Sequence, residues 1–490
     1  MALSTNGKLR LQDLVEDVLI LILAECDVAG VVAISVTSKF FHNLAFTNAI
    51  WYSLVTKLAQ RGFIDRRPDD ECLSDLSTEQ LIDIVKGVLR GPSAWTDTHP
   101  ESRSSRVMVV VRRAVNVFRK LVRKPRLVPA PTAPLVESRR IALHPEISFG
   151  MYWENKPMLL PGGKYMLFMS GARLECWSVF EDRLIWKHES SLDTSDVLIF
   201  DAELVEEDRA VVLTCQRTWA QPFKNFVEIS TVNMESGVSC LELVSRVPDY
   251  AHDFPYVGCT VGGDTVAVYL FDWIVLLVNW RTSSRVLVLP DPSLIAIELV
   301  PGYLVLSLQD SCGECRLTVG PVTPLASWEP NHSTEEPSAH ITAADLSTSA
   351  YDSITLTGRL CDTTRLWVYE SPLREGRFKV WLYTDSRALC SYEFFKHAAG
   401  SGVSLRFLSL IRMPDSLGTP ANVSLSGHTL RWRSDFRGLD IFPPVPASKK
   451  HSVRHRTVEF PAQHYCVYLS AFSGALTYAT DDELVVLYYY

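Results

Sequence analysis

The residues whose types and spacing could support chemistry form no complete site in this sequence. Cys312 and Cys315 have the separation of a zinc-binding or redox pair. No second cysteine pair and no histidine pair at zinc-site distance accompanies them, and they fall between two strand-like segments. We therefore interpret them as free thiols in a hairpin turn, and we predict no metal site.

The remaining motifs also favour loops over catalysis. Gly162-Gly163 and Gly262-Gly263 precede strand-like segments, whereas a phosphate-binding loop requires a following helix. His451 and His455 occupy a basic, proline-flanked stretch without a carboxylate, which is typical of an exposed loop. No ordered serine, histidine and aspartate set, paired-carboxylate motif or nucleotide fingerprint is recognisable. We predict no catalytic residue and no cofactor.

The composition limits the class of protein. At 490 residues, 47% of them hydrophobic and 21% charged, the chain fits a soluble globular protein with about two to four domains. The formal charge of −8 argues against nucleic-acid binding. The sequence has no signal-peptide pattern and no apolar run of membrane-spanning length, and its eleven scattered cysteines fit reduced thiols. We expect neither nucleic-acid nor membrane binding, and a cytoplasmic or nuclear location.

Short helices dominate the first part of the chain. Asp13 and Glu16 form a capping-box pattern before an apolar run, so we predict that a helix starts there. Asp27 and Ser38 can cap a second and a third helix, and Thr47 precedes a fourth. Helices this small and this apolar cannot bury their own side chains. Either a partner protein or the rest of the chain must cover them, and the pattern leaves both alternatives open.

The 41 residues from Leu14 to Leu54 resemble an F-box. The matching positions are Leu14-x-Glu16-Asp17-Val18-Leu19-x-x-Ile22-Leu23, then Asp27-Val28, Val36-Thr37-Ser38-Lys39-Phe40, Trp51 and Leu54. That family forms a small helical bundle that binds the Skp adaptor of cullin-based ubiquitin ligases, so the resemblance implies this adaptor, and through it a cullin, as partners. The adaptor-binding residues that it implies are Leu14, Val15, Val18, Leu19, Ile22, Leu23, Val31, Val32, Phe40 and Trp51.

The sequence departs from the F-box pattern at two places. Val15 stands where the family usually has proline, and Phe40 stands near a usual tryptophan. Proline presets the backbone for a helix start, and valine does not. We therefore expect weaker adaptor binding than is typical of the family.

We divide the chain into five parts: a disordered N-terminus (1–10), the F-box-like helical domain (11–56), linker helices (57–100), a basic and proline-rich linker (101–140) and a β-domain (141–490). In the linker helices, Ser77 and Gln80 form a capping box for a helix that ends at Gly91-Pro92, which we interpret as a spacer helix tied to the bundle. The basic linker carries eleven Lys or Arg, nine of them at 103–126, against two acids. It fits a nuclear-import patch, a contact with an anionic surface, or a solvated linker helix.

The β-domain shows short strand-like segments at a recurring spacing. Turn signals near residues 162, 207, 263 and 302 lie 39 to 56 residues apart, close to the period of a four-stranded propeller blade. The units resemble degenerate WD-repeat propellers, although the body contains no Trp-Asp pair. We predict an α+β multidomain protein with a small all-α bundle and an all-β propeller of about seven blades; six or eight blades, or a β-sandwich, would also fit.

These features together predict a substrate receptor of a cullin-type ubiquitin ligase, whose propeller binds an unknown target protein and whose chain performs no catalysis. One alternative is a scaffold that binds the adaptor without delivering targets. A propeller enzyme is the other alternative, and it would require a cluster of polar residues in the central channel.

Overall fold

The fold is given by a computed structural model. It describes residues 11, 14–65, 72–95, 139–146, 157–170, 173–192, 195–206, 208–219, 223–248, 255–289, 294–309, 315–322, 328–332, 335–342, 352–356, 365–384, 388–396, 402–413, 420–433, 438–444, 455–461 and 465–489. The predicted disordered N-terminus, the basic segment 103–126, the Cys312 turn and His451 lie outside these residues.

Five helices form the N-terminal part. They are α1 (Glu16–Glu25), α2 (Val28–Ser35), α3 (Lys39–Ala45), α4 (Asn48–Gln60) and α5 (Thr78–Arg90), with short 3₁₀ turns at Leu73–Asp75 and Ser93–Trp95. No helix in the described part of the chain is long and apolar enough to span a membrane.

Side-chain caps start three of these helices where the sequence predicts them. Asp27 accepts the N–H of Gly30 at 2.5 Å, Ser38 accepts that of Phe41 at 3.2 Å, and Ser77 forms its capping box with Gln80. The predicted start of the first helix at Asp13 is wrong, because α1 begins at Glu16 with Val15 as N-cap and no side-chain cap. The backbone at Val15 is extended, so the apolar run begins before the helix does.

The helices share one core, and α5 belongs to it. The core contains Leu19, Leu23, Val28, Val31, Leu44, Ile50, Trp51, Leu54, Val55, Leu58, Leu81, Val85 and Val88. α1 packs against α3 and α4, α2 against α3, and α4 against α5. The apolar stripe of α5 is buried against the bundle, so this helix is tied to the bundle as its sequence pattern indicates.

The rest of the described chain forms seven sheets, each with four antiparallel strands that are consecutive in all but sheets 4 and 7. Sheet 1 is β2 (Met158–Leu159), β3 (Tyr165–Ser170), β4 (Arg173–Ser178), β5 (Arg183–Lys187); sheet 2 is β6 (Ser195–Glu206), β7 (Arg209–Thr218), β8 (Asn225–Asn233), β9 (Ser239–Arg246); sheet 3 is β10 (Tyr256–Gly262), β11 (Thr265–Leu270), β12 (Val275–Asn279), β13 (Ser284–Leu289). Sheet 4 is β14 (Leu294–Val300), β15 (Tyr303–Gln309), β16 (Cys315–Pro321), β19 (Asp352–Leu356); sheet 5 is β20 (Arg365–Glu370), β21 (Arg377–Thr384), β22 (Ala388–Lys396), β23 (Val403–Arg412). Sheet 6 is β24 (Asn422–Val423), β25 (Thr429–Trp432), β26 (Gly438–Phe442), β27 (Arg456–Glu459); sheet 7 is β28 (Tyr465–Leu469), β29 (Leu476–Ala479), β30 (Leu484–Tyr488), β1 (Arg139–Leu143).

Sheet 7 joins the two ends of this domain. β1 pairs with β30 in antiparallel register, from Arg139 opposite Tyr488 to Leu143 opposite Leu484. The first strands of several neighbouring sheets, such as β6 with β10 and β14 with β20, contact each other. The fold is thus a seven-bladed β-propeller that follows a helical bundle, as predicted. The first strand begins at Arg139, two residues before the expected boundary.

Two extra strands cover the edge of blade 3. The excursion between β16 and β19 contributes β17 (Glu329–Pro330), antiparallel to β13, and β18 (His340–Thr342), parallel to it. Buried Arg285 on β13 donates to Glu329 Oε1 at 3.0 Å and to the carbonyl of His332 at 3.2 Å. This ion pair fastens the added segment to the blade.

The helical bundle rests on one face of the propeller. Tyr369, Leu373, Leu425 and Phe472 pack against the bundle core, and all but Tyr369 lie in turns between the first and second strands of blades 5, 6 and 7. Leu373 also accepts the N–H of Ala29 at 3.1 Å. The alternative in which the helices pack on the rest of the chain is thus confirmed for this side of the bundle.

Candidate docking surface and channel

Part of the bundle surface is apolar and open to solvent. Val15 is 69% exposed, Leu21 68% and Val36 80%. We define the docking surface as the exposed apolar residues of α1 to α3 and their flanks: Val15, Val18, Leu21, Ile22, Val32, Val36, Phe40 and Phe46. So many exposed large apolar side chains within one small bundle are typical of a site that binds another protein.

The residues implied as adaptor-binding divide into two groups. Val15, Val18, Ile22, Val32 and Phe40 are exposed, and Leu14 is half-buried. Leu19, Leu23, Val31 and Trp51 are at most 3% exposed and form the bundle core, so their assignment to a contact surface is corrected. The helical period explains the division, since residues 19 and 23 lie one turn apart on the inner side of α1.

Three residues of the docking surface are absent from the implied set: Leu21, Val36 and Phe46. Leu21 follows Val18 by three residues and is therefore on the same side of α1, so the helical period could have identified it. Val36, at the C-cap of α2, is the most exposed large apolar residue in the described part of the chain. No periodic signal identifies a capping residue as exposed.

Hydrogen bonds from α4 hold the C-terminal end of α1 in place. Lys57 Nζ on α4 donates to the carbonyl of Ala24 and to Glu25 Oε2, both at 2.8 Å, and Ser53 Oγ also donates to Ala24. These bonds satisfy a carbonyl at the C-terminal end of α1, where the helix itself supplies no donor. The docking surface is thus held on a supported helix.

A second candidate site lies in the propeller channel. Asp201 and Glu203 on β6 and Glu298 on β14 come from first strands, which line the channel. Burial raises the pKa of Asp201 to about 6, that of Glu203 to about 7 and that of Glu298 to about 8. This is the polar cluster that the propeller-enzyme alternative requires.

Two of these carboxyl groups already have structural bonds. Asp201 Oδ2 accepts the N–H of Val261 at 2.8 Å, and Glu203 Oε2 accepts that of Gly263 at 2.6 Å. Both donors belong to blade 3, so the carboxyl groups join blade 2 to its neighbour. These two bonds give Asp201 and Glu203 a structural role at the junction of blades 2 and 3.

A third cluster, formed by the segment after β5 together with β7 and β8, has residue types that occur in hydrolases. Ser191 Oγ donates to Glu228, whose Oε2 lies 3.2 Å from His188 Nε2, and Gln216 Nε2 donates to the same oxygen at 2.6 Å. Burial raises the pKa of Glu228, but these hydrogen bonds outweigh it and hold the pKa below its usual value. The serine hydroxyl contacts the Glu228 carboxylate and not the imidazole, so the three residues do not have the order of a serine–histidine–acid triad.

The remaining sequence candidates do not assemble into a site. His455 stacks on Phe442, and its Nε2 lies 3.9 Å from Asp440 Oδ1. Gly162, Gly163 and Gly263 have positive φ and form turns, as predicted. Within the described ranges, no group of three or more metal-ligating side chains comes together.

Comparison with known proteins gives distant likenesses. No protein-family model matches the chain, and no curated protein matches it. Among solved structures, the WD40 domain of SCAP from fission yeast has 12% identity over 69% of this chain and 84% of its own, with a TM-score of 0.38. A chain of the Mitotic Checkpoint Complex has 10% identity over 75% of this chain and 100% of its own, with a TM-score of 0.39. The N-terminal domain of Nup159 has 10% identity over 73% of this chain and 98% of its own, with a TM-score of 0.31. The pairing of the strands itself defines the propeller fold.

Proposed function

We propose that this protein is an F-box-like substrate receptor. The docking surface binds the Skp adaptor of a cullin-type ubiquitin ligase, and the propeller holds a target protein. The observation that supports this proposal is the uncovered apolar side of a bundle whose other side is buried on the propeller. Burying these side chains against a partner removes apolar area from water, and that is the main driving force of protein association.

The joint between bundle and propeller supports a presenting role. The bundle sits directly on the blade turns, so no long spacer separates the adaptor site from the target-binding domain. In this proposal the chain makes and breaks no bond itself. It raises the effective concentration of the target near a ubiquitin carrier, as linked binding modules do.

The test is binding of purified full-length protein to purified Skp adaptor by calorimetry. The variant Val18→Asp/Ile22→Asp places two charges on the docking surface, and we expect at least about a tenfold loss of affinity. Val238→Asp, at a 68% exposed position in a turn of blade 2, is the matched control. An absence of binding by the wild type, or equal affinity of the docking-surface variant and the control, would refute the proposal.

In the scaffold alternative the docking surface also binds the adaptor, but the proteins held by the propeller are not delivered for ubiquitination. If the protein delivers targets, Val18→Asp/Ile22→Asp should lengthen the lifetime of proteins captured by the wild-type propeller. If it is a scaffold, the same partners should be captured and their lifetimes should not change. Cycloheximide chase of the captured proteins distinguishes the two functions.

A further inference from the structure

The outer strand of blade 5, β23, exposes a run of apolar residues. Phe407 is 47% exposed, Leu408 41% and Leu410 36%. Arg406 and Ser409 in the same run are exposed as well. The flanking residues Val403, Leu405, Ile411 and Met413 are buried, so the exposure is confined to the middle of the strand.

The exposed run lies on a strand that is longer than its neighbour in the next blade. β23 spans ten residues, whereas β19, the outer strand of blade 4 that packs against it, spans five. Val403 and Leu405 lie in the core that blades 4 and 5 share. A bulge near Tyr392 places Phe407 and Leu410 on this same side of the strand, opposite Tyr392 and Cys390. Phe407 and Leu410 thus lie on the side of β23 that carries Val403 and Leu405.

Among the described residues, none pairs with the outer backbone edge of this run. The N–H of Leu405, which points away from β22, donates to Asp352 Oδ2 on β19 at 2.9 Å. From Arg406 to Leu410, no described residue outside β22 bonds to the main chain. An edge strand of this kind presents unpaired donors and acceptors to any extended chain that approaches it.

Blade 3 shows how this protein covers such an edge. There an extended segment adds β17 to the outer strand β13, and the Glu329 carboxylate of that segment meets Arg285 of the blade. Strand pairing and an arginine–glutamate contact thus act together. The outer strand of blade 5 likewise carries an arginine, Arg406, beside its exposed apolar run.

The charge of the edge determines the kind of occupant. Arg406 has a 65% exposed side chain, and it shares the single carboxylate of Glu393, at 3.0 Å, with Arg377, at 3.2 Å. Two guanidinium groups on one carboxylate leave an excess positive charge. A second copy of the strand would add another Arg406 and no carboxylate, because residues 403–412 contain no Asp or Glu. A segment that carries a carboxylate fits better.

We propose that the exposed run of β23 binds an extended, acidic and apolar segment of a partner protein, which adds to blade 5 as a further strand. The partner's backbone pairs with residues 406–410, its apolar side chains contact Phe407, Leu408 and Leu410, and its carboxylate faces Arg406. This surface is remote in sequence from the docking surface, and its occupation does not depend on the adaptor.

The test starts from a phage-displayed library of random nonapeptides selected on the immobilised full-length chain, with counter-selection on Leu408→Asp/Leu410→Asp. The enriched peptide is synthesised with fluorescein, and its affinity is measured by anisotropy. We expect alternating apolar and acidic residues, and at least about a tenfold weaker affinity for the double variant. N-methylation of alternate peptide amides should abolish binding, since it removes strand pairing. Leu241→Asp, at a 45% exposed position on the outer strand β9, is the matched control and should bind normally.

Several results would overturn the proposal: no peptide enriched over the counter-selection, binding that survives N-methylation, or equal loss in the Leu241→Asp control. A dimer in sedimentation that Leu408→Asp/Leu410→Asp dissociates would identify a second copy as the occupant instead. Arg406→Glu provides a second variant in case the double variant unfolds; it should weaken the acidic peptide and favour its lysine-substituted version. Because none of these measurements includes the adaptor, failure here is distinguishable from failure of the proposed function.

Discussion

Arg61 Nη2 donates to Glu370 Oε1 across 2.5 Å, and this ion pair joins the end of α4 to the end of the first strand of blade 5. Arg61 also donates to the carbonyl of Ser371 at 3.3 Å and lies 4.7 Å from the ring centre of Phe63. The guanidinium thus contacts the bundle and the propeller at once. The Arg61–Glu370 ion pair therefore joins the two modules in addition to the apolar packing between them.

We expect the pair to contribute modestly to stability, because its side chains are 26% and 34% exposed. Arg61→Ala, Glu370→Ala and the double variant should give a coupling energy of about 0.5–1 kcal/mol by urea denaturation. Arg61→Ala alone should cost more than Arg61→Lys, since lysine keeps the charge. A coupling energy of zero would assign the joint to packing alone.

Neighbouring residues of α1 should respond differently to truncation. Leu19 is 1% exposed and Val18 is 43% exposed. Leu19→Ala should therefore cost about 2–5 kcal/mol in free energy of unfolding by leaving a cavity. Val18→Ala should change it by less than about 0.5 kcal/mol while weakening adaptor binding. Similar stability losses in both variants would contradict the observed orientation of α1.

Val15 has a backbone geometry that suits proline. Its φ of −62° is the value that a pyrrolidine ring imposes, and it precedes the first residue of α1. Val15→Pro should raise the free energy of unfolding by about 0.4–1 kcal/mol by restricting the unfolded chain. Differential scanning calorimetry measures this change, and a lower melting temperature would show that the backbone before α1 does not tolerate the ring.

The channel carboxyl groups should make the protein less stable as pH rises. Burial holds the pKa of Glu298 at about 8, above its usual value of 4.5, so the folded state keeps a proton that the unfolded state loses. Stability therefore falls from about pH 4.5 to pH 8. Glu298→Gln should remove this part of the decline, which is on the order of 4 kcal/mol at pH 8, as measured by urea denaturation across pH. Parallel pH profiles of wild type and variant would contradict the assignment.

His428 should make the protein less stable as pH falls. It is fully buried against Trp95, with Nδ1 2.7 Å from Ser426 Oγ, and burial lowers its pKa from 6.5 to about 4. The unfolded state therefore binds a proton first, and stability falls as pH drops from 6.5 to 4, by up to about 3 kcal/mol. His428→Phe should flatten this acid limb. An acid limb of unchanged slope would assign the loss to other groups.

Local chemistry in the sequence determined a large part of the secondary structure. Asp27, Ser38 and the Ser77–Gln80 pair cap helices where they were expected, because a cap needs only residues three positions apart. The strand pattern likewise predicted β3, β7, β11 and β15 and the turns before them. The period of these units predicted the propeller, since each blade is one local meander.

Tertiary structure alone decided which of these apolar residues are available to a partner. The sequence places Val18 and Leu19 side by side with similar hydrophobicity, and only packing against α4 and the propeller buries one and exposes the other. Closure of the ring by Arg139 opposite Tyr488, the grouping of Asp201 with Glu298 and the open edge of β23 depend on residues far apart in the chain. Such contacts leave no periodic trace in a sequence, because they are selected by the assembled fold and not by neighbouring residues.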